Sequence, residues 1–574
     1  FFECFADMSK YTSAGFLRPG QRTPVFVRFS TVVGSRGSAD TARDVRGFAT
    51  KFYTSEGNFD LVGNNIPVFF IQDGIKFPDL VHAVKPEPHH EIPQASSAHD
   101  SFFDFISLTP EAMHMIMWVF SDRAIPRAYQ TMQGFGVHTF RFVNARGQST
   151  FVKFHWKPKA GVHSLVWDEA VKLSGFDCDF HRRSLWEAIE EGHFPEWELG
   201  VQLVAEKDEM KFDFDLLDPT KLIPEELVPV VPLGRMVLDR NPENFFAETE
   251  QVAFCVGNLV PGIDVTNDPL MQARLFSYFD TQLTRLGGPN FNELPINRPV
   301  RPVVNHQQDG FGRQAILKSR VNYSPNSIDG NSPRVDPKNG FRHFPQAVEG
   351  TKTRERSPSF DDHYSQASLF YHSLTPIEQA HVIDAGCFEL SRVERIPIRE
   401  RMIAHFAEID VEMARAIAAK VGVKPPAKSR ARTSPTPSPA LSQFSHPGET
   451  VAGRNVAVFV GPGVDAKDVA ALQAALKRLG VKASLVADIL GTVPKADLEA
   501  VKTFFNCSSV NFDAVYVPGG EKFLDELRHN ADAMKFINEA FKHHKFIGLG
   551  KGAKRLVEET NIELDEGVLD GPVE

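Results

Sequence analysis

Cysteine is nearly missing from this 574-residue chain. The five that occur, Cys4, Cys178, Cys255, Cys387 and Cys507, are too widely scattered to signal a disulfide framework or a zinc site. A reducing, cytoplasmic setting is the expectation. No apolar run approaches the ~18 residues a membrane-spanning helix needs, and no charged segment followed by an apolar one stands at the start. A soluble protein without a membrane partner is expected. A basic stripe is missing too: the net charge is -10 and the isoelectric point near 6.1, which argues against nucleic acid as a partner. What is abundant is phenylalanine, 48 in all, enough flat apolar surface to line a pocket for a large planar cofactor.

Asp268 followed by Pro269 reads as an N-cap and first helical position, predicting a helix from Leu270 to about Arg285. On that helix Arg274, Tyr278 and Arg285 are spaced so that two guanidiniums and a phenol share a face. Permanent positive charge beside a phenol favours phenolate, a hard anionic oxygen suited to ferric iron.

The wording around this helix, Arg274-Leu275-Phe276-Ser277-Tyr278 with Asp280-Thr281-Gln282 and then Arg285-Leu286-Gly287-Gly288-Pro289-Asn290-Phe291, resembles the haem-catalase signature. Further matches are Arg28-Phe29-Ser30-Thr31, Gly37-Ser38-Ala39-Asp40-Thr41, Arg46-Gly47-Phe48-Ala49, Asp60-Leu61-Val62-Gly63-Asn64-Asn65, Ser121-Asp122-Arg123, Gly134-Phe135-Gly136-Val137-His138-Thr139-Phe140 and Arg240-Asn241-Pro242. The added C-terminal segment is similar to the large-subunit branch of that family. The resemblance implies an α+β fold. An antiparallel β-barrel haem core over 1–300 would be followed by a wrapping connection over 301–364 and a helical domain over 365–424. A Pro/Ser-rich linker over 425–452 would lead to a doubly wound α/β domain over 453–574.

In Val25 to Val32 a period of two puts Phe26, Arg28, Ser30 and Val32 on one face, and an inward arginine needs an anion, be it an ordinary salt bridge or a ligand. The resemblance implies that Arg28 clamps a haem propionate, Ser30 orients a distal histidine and Val32 lines the peroxide channel. Gly63 to Pro67 reads as a turn. By resemblance, Asn64 hydrogen-bonds peroxide, Phe69 and Phe77 are the distal aromatics, and Asp44 lies partway along the channel. His138 reads locally as a hydrogen-bonded core histidine in a strand. The resemblance implies a proximal relay of His138, Asp268, Arg274 and Tyr278, with Tyr278 the axial iron ligand and Arg285 a further haem contact.

At Cys255 some large-subunit members carry a histidine bonded covalently to the proximal tyrosine. The cysteine reads either as a small buried hydrophobe or as one end of a thioether-like bond to Tyr278 formed by oxidation.

Residues 300 to 360 have little periodicity and resemble the family's wrapping connection. Phe370 to Val423 shows amphipathic helices, with Ile398, Met402, Ile403 and Phe406 at helical spacing. Pro425 to Thr450 reads as an exposed, extended linker. From Arg454 onward apolar strands alternate with helices, which predicts a parallel sheet. This domain resembles class I glutamine amidotransferase-like modules. The position of their nucleophilic cysteine is occupied by Gly550, so a structural role is expected. Gly461-Pro462-Gly463 is a weak phosphate-cradle pattern.

The activity implied is disproportionation of hydrogen peroxide by a homotetramer holding haem b or an oxidised haem d. Attachment should be noncovalent, since Cys-x-x-Cys-His is missing. NADPH is not expected, because Leu222 to Glu226 lacks the tryptophan and histidine of family members that bind it. The family's distal histidine, a base of near-neutral pKa, falls about nine residues before the pair matching Phe1-Phe2, upstream of this chain. Phe1 is therefore expected to be a truncated start, and Glu574 to stop short of a last helix. Read literally, the chain is a haem-binding scaffold without turnover; a peroxidase with small organic donors is a third, weaker reading.

Overall fold

The computed structural model describes residues 1–303, 305–336, 339–351, 353, 355–426, 435–558, 560 and 562–571. They form two compact units: Phe1–Gly37, Arg43–His163 and Phe194–Pro447 in the first, and Ser38–Ala42, Ser164–His193 and Gly448–Glu574 in the second.

In the first unit an eleven-stranded sheet runs in the order Arg22–Thr23, Phe2–Cys4, Val231–Val237, Glu196–Ala205, Ser149–Pro158, Gly134–Phe135, Gly57–Asn64, Gly47–Thr54, Val25–Ser30, with Phe140–Val143 and Ile263–Asp264 branching from Ser149–Pro158. All its pairings are antiparallel. The two end strands are neighbours in sequence, separated by Pro24, whose carbonyl accepts from Tyr53 N at 3.0 Å. The sheet is thus a near-barrel, its ends brought together by a residue that cannot donate.

Alternation along the strands separates two faces. One carries Phe48, Phe52, Phe59 and Leu61, all at most 1 % exposed, packed with Phe2, Phe16, Trp156 and Trp197. Phe52 and Trp156 stack, while Phe2 meets Phe52 edge to face at 5.4 Å. Truncating such a ring to alanine costs ~3–5 kcal/mol. The opposite face carries Arg28, Ser30, Gly47, Ala49, Lys51, Asp60, Val62 and Asn64.

Besides its strands the N-terminal region carries the helices Phe77–Val84, Asp100–Ser107 and Met113–Phe120. The last two pack with Ser365–Ser373, Pro376–Ser391, Ile396–Ile409 and Val411–Val421 around Trp118, Phe120, Phe370, Met402 and Phe406. The expected linker departs from its reading. Its residues 427–434 lie outside the described residues, but Ser438, Leu441 and Ser442 beyond them are buried. They are held by polar partners in the core: Ser438 Oγ donates to Glu226, Ser442 Oγ donates to Glu378 at 2.9 Å, and Leu441 O accepts from Arg123.

In the second unit a six-stranded parallel sheet has the order Lys502–Thr503, Lys482–Ala487, Asn455–Phe459, Ala514–Val517, Phe546–Leu549, Val568–Asp570. Helices Trp167–Phe176 and Phe180–Glu190 belong to this unit, although they come from the middle of the chain. Asp168 joins them to it by accepting from Lys172, Lys542 and His543, and Glu191 accepts from Lys482. No helix among the described residues is long and apolar enough to cross a membrane.

Candidate active site

The polar face of the near-barrel is built in rungs. Arg28, Ala49 and Val62 are cross-strand neighbours; so are Ser30, Gly47 and Asn64. The middle strand therefore contributes almost no side chain. A Cβ at Gly47 would lie 2.4 Å from Ser30 Oγ, so the residue must be glycine for the hydroxyl to stand there. Gly63 is demanded by close approach as well: a Cβ would meet the Phe135 carbonyl at 1.9 Å. Asn64 is thus the last residue of strand Gly57–Asn64 rather than part of a turn. Its neighbour Asn65 spends its amide on Arg46 N and Arg123 O. The side chains of Asn64 and Ser30 have no hydrogen-bond partner among the described residues.

Helix Pro269–Arg285 begins where Asp268 and Pro269 predicted. Asp268 Oδ1 accepts from Leu270 N and Met271 N at 2.9 and 3.1 Å. Its other oxygen holds His138 Nδ1 in a buried hydrogen bond. His138 stands in the break between strands Gly134–Phe135 and Phe140–Val143, not within a strand. Val137 turns the chain there at φ 65°, a left-handed conformation costly for a β-branched residue. Burial pulls the His138 pKa down despite Asp268, keeping the ring neutral.

Arg274 Nη2 donates to the Tyr278 phenol oxygen at 2.7 Å and to Val62 O at 2.9 Å, docking the helix on the Arg28 rung. Asp268 and Arg274 share no hydrogen bond among the described residues. The expected relay is two bonded pairs, with Arg274 acting on His138 through space. Arg285 reaches Gln282, Glu250 O and Val252 O. Arg28 has no carboxylate partner among the described residues, and burial lowers its pKa. The Arg285 guanidinium is lowered by burial and by Arg28 itself. Two cations, one weakened by the other and neither paired with a carboxylate among the described residues, call for an anion supplied from outside.

Val32 lies just past its strand and is 44 % exposed, as is Phe77, which stacks with Phe69 at 6.4 Å. Asp44 is 4 % exposed: Oδ2 accepts from Val32 N and Val33 N at 2.7 Å each, and burial raises its pKa. It bears on Val32 through the backbone.

One pair had no role in the sequence reading. Lys51 Nζ and Asp60 form an ion pair at 2.8 Å, both at most 1 % exposed, on the next rung along. Asp60 Oδ2 also accepts from Cys255 N and Asn258 Nδ2. A strand-turn-strand register through Gly57 opposes Lys51 to Asp60, which is the signal that could have found them. Cys255 Sγ, its thiol pKa raised by burial, lies beside the helix: a Cβ on Gly257 would be 3.5 Å from that sulfur and 3.6 Å from Leu275 O.

In the second unit the position after strand Phe546–Leu549 has no room for a nucleophile. A Cβ on Gly550 would lie 2.5 Å from Asp468 Oδ2 and 2.7 Å from Gly519 N. Asp468 is committed to Tyr516 Oη and Gly519 N.

Comparison with known proteins identifies the family. Residues 1–330 match the catalase family model, 357–421 the catalase-related immune-responsive model, and 452–572 the C-terminal domain found in long catalases. Catalase HPII of Pseudomonas aeruginosa is 57 % identical over 100 % of this chain and 82 % of its own length. Catalase-2 of Bacillus subtilis is 57 % identical over 99 % of this chain and 83 % of its own. Catalase-1 of Neurospora crassa is 50 % identical over 97 % and 76 %.

Proposed function

This chain belongs to the catalase family and disproportionates hydrogen peroxide to water and dioxygen, and we propose that it does so with a haem held between the Arg28–Asn64 face and helix Pro269–Arg285. The observation that carries the reading is the flat floor of Gly47 and Ala49, with Arg28 at its rim and the Tyr278 phenol held by Arg274, which is anchored to Val62 on the Arg28 rung. The residues present suit the group: Arg28 and Arg285 would receive a propionate, and Tyr278 would hold the iron through its phenol oxygen, which Arg274 hydrogen-bonds. Haem, when bound, supplies the two-electron redox chemistry.

The chain's own residues then have distinct tasks. Asn64 donates its free amide to a peroxide oxygen, and Ser30 presents a hydroxyl on the same rung. Phe69, Phe77 and Val32 keep the approach apolar, while Asp44 fixes the backbone of Val32. His138 and Asp268 hold the helix entry that sets the position of Tyr278. Asn64→Ala should lower oxygen release per haem roughly a hundredfold, with thermal stability unchanged, since the side chain has no partner to lose; full activity would remove Asn64 from the reaction.

The finer features follow the same reading. Cys255 beside the helix supports a thioether-type bond to Tyr278: peroxide removes the thiol hydrogen and one tyrosine hydrogen, leaving as water. A single cross-linked peptide of the summed mass less two hydrogens would establish it; separate peptides at unmodified mass would end it. The haem is b or an oxidised d form. NADPH is not bound at Leu222 to Glu226, where Leu222 and Ile223 are buried and Leu222 N donates to Gln366. The assembly is a cytoplasmic homotetramer. The division into core, wrapping connection, helical domain, linker and C-terminal domain at 300, 364, 424 and 452 marks functional segments, the C-terminal one structural.

A further inference from the structure

After helix Phe77–Val84 the chain folds into a tight loop that the peroxide reaction does not use. Glu87 N donates to Ile92 O at 3.0 Å, and His90 N and Glu91 N turn back onto Glu87 O, so the loop is closed by its own backbone. It displays Glu87, His89 and His90, whose ligand atoms lie within 4.8 Å of one another. Glu87 Oε2 is 3.9 Å from His89 Nδ1 and 3.7 Å from His90 Nε2, and the two imidazoles stack at 3.9 Å. Stacked rings beside one carboxylate oxygen are two borderline nitrogens and a hard oxygen converging on one point.

A second observation lies behind the same carboxylate. His99 is 6 % exposed, neither ring nitrogen has a well-formed hydrogen bond among the described residues, although the Val84 backbone lies close, and Nδ1 points at Glu87 Oε1 from 3.9 Å. Ser101 Oγ donates to that oxygen at 3.3 Å. One oxygen of Glu87 is thereby turned toward the buried His99 and Ser101, and the other toward the exposed pair.

We propose that Glu87, His89 and His90 form a site for a divalent transition-metal ion of the zinc class, with His99 and Ser101 orienting the carboxylate from behind. Donor separations of 3.7 and 3.9 Å are a few tenths of an ångström wider than a tetrahedral zinc site with bonds of about 2.0–2.2 Å requires. Exposed rings close that gap by rotation. Ligation through His90 Nε2 puts its proton on Nδ1, at the loss of the 3.2 Å bond from Ile92 N, a half-exposed contact of modest worth. Drawing Glu87 inward also brings Oε1 toward His99, giving that buried ring the well-formed hydrogen bond it lacks. The loop is tied to the channel strand's exit, since Lys85 Nζ donates to Val32 O and Val33 O at 3.1 and 3.0 Å.

The holoenzyme, stripped with a chelator, is incubated with zinc chloride and desalted, and zinc per haem iron is counted by elemental analysis. Wild type should retain one zinc per chain more than His89→Ala, His90→Ala and Glu87→Gln, while Glu91→Gln keeps the wild-type count. Soret absorbance and melting temperature report whether each variant is folded; the two histidines are exposed, so their variants should match wild type. Equal zinc in wild type and both histidine variants overturns the proposal, as does a wild type that holds none. If the His99→Phe variant is folded, it should retain the site with weaker affinity; unaltered affinity removes His99 from the assignment.

Discussion

The two sheets of this molecule are equipped very differently. The antiparallel sheet turns one face to apolar packing and lays charged or unpartnered groups along the other: Arg28, Ser30, the Lys51–Asp60 pair and Asn64. The parallel sheet has the topology that often carries a site at the carboxyl ends of its strands. There Gly550 leaves no space for a side chain, and Asp468 is already committed. A site is legible as polar capacity left over after folding is satisfied. By that measure the described residues leave polar capacity along the open face of the first sheet, and at Gly550 of the second sheet they leave none.

The largest test of the contrast is Tyr278→Phe, which removes the phenol oxygen proposed to hold the iron and should cut oxygen release per chain by roughly a thousandfold or more, on the order of 4 kcal/mol in barrier. Next is Asp60→Ala, which strands the buried Lys51 and frees Cys255 N and Asn258. It should destabilise the first unit by about 3–5 kcal/mol and leave hydrogen exchange in the second unchanged. Gly550→Cys sharpens the other side. It should cost the second unit about 1–3 kcal/mol through overpacking and confer no glutamine hydrolysis, with oxygen release at the wild-type rate. A reactive thiolate at that position would show the pocket to be more adaptable than its packing implies.

The smallest effect is on acid sensitivity. In the first unit burial lowers His114 and His155 to about 3 and His446 to about 4, from an ordinary 6.5. The unfolded chain binds those protons first, so the unit loses stability as pH falls below 6.5. In the second unit the lysines around Asp168 and Glu539 hold both carboxyls below their ordinary values, 3.8 and 4.5, and their contribution is lost only as pH falls below those values toward the lowered folded ones. Peptide-resolved hydrogen exchange, corrected for the intrinsic pH effect, should show the first unit loosening before the second. The reverse order would mean the buried histidines do not govern it.

What could be read from the sequence was mostly local. Asp268 and Pro269 announced the helix because capping is decided within a few residues, and Phe546–Leu549 was legible as a strand because it is apolar throughout. Arg28 and Ser30 followed from alternation, but Val32 did not, because the strand ends at Ser30. The Lys51–Asp60 pair depended on register, and the membership of 164–193 in the second unit on ion pairs to residues hundreds of positions away. The packing of Ser438 and Ser442 hung on the hidden carboxylates of Glu226 and Glu378. The left-handed turn at Val137 gave no warning at all, since valine is among the last residues expected there.

Asp268 starts helix Pro269–Arg285 with one oxygen and steadies His138 with the other. Secondary structure and catalytic geometry therefore share a single point of failure. The chain cannot wind the first turn beneath Tyr278 without also seating the histidine, so a molecule that is folded but misassembled at this spot should be rare in the population. Damage there ought to appear as less enzyme rather than as slower enzyme.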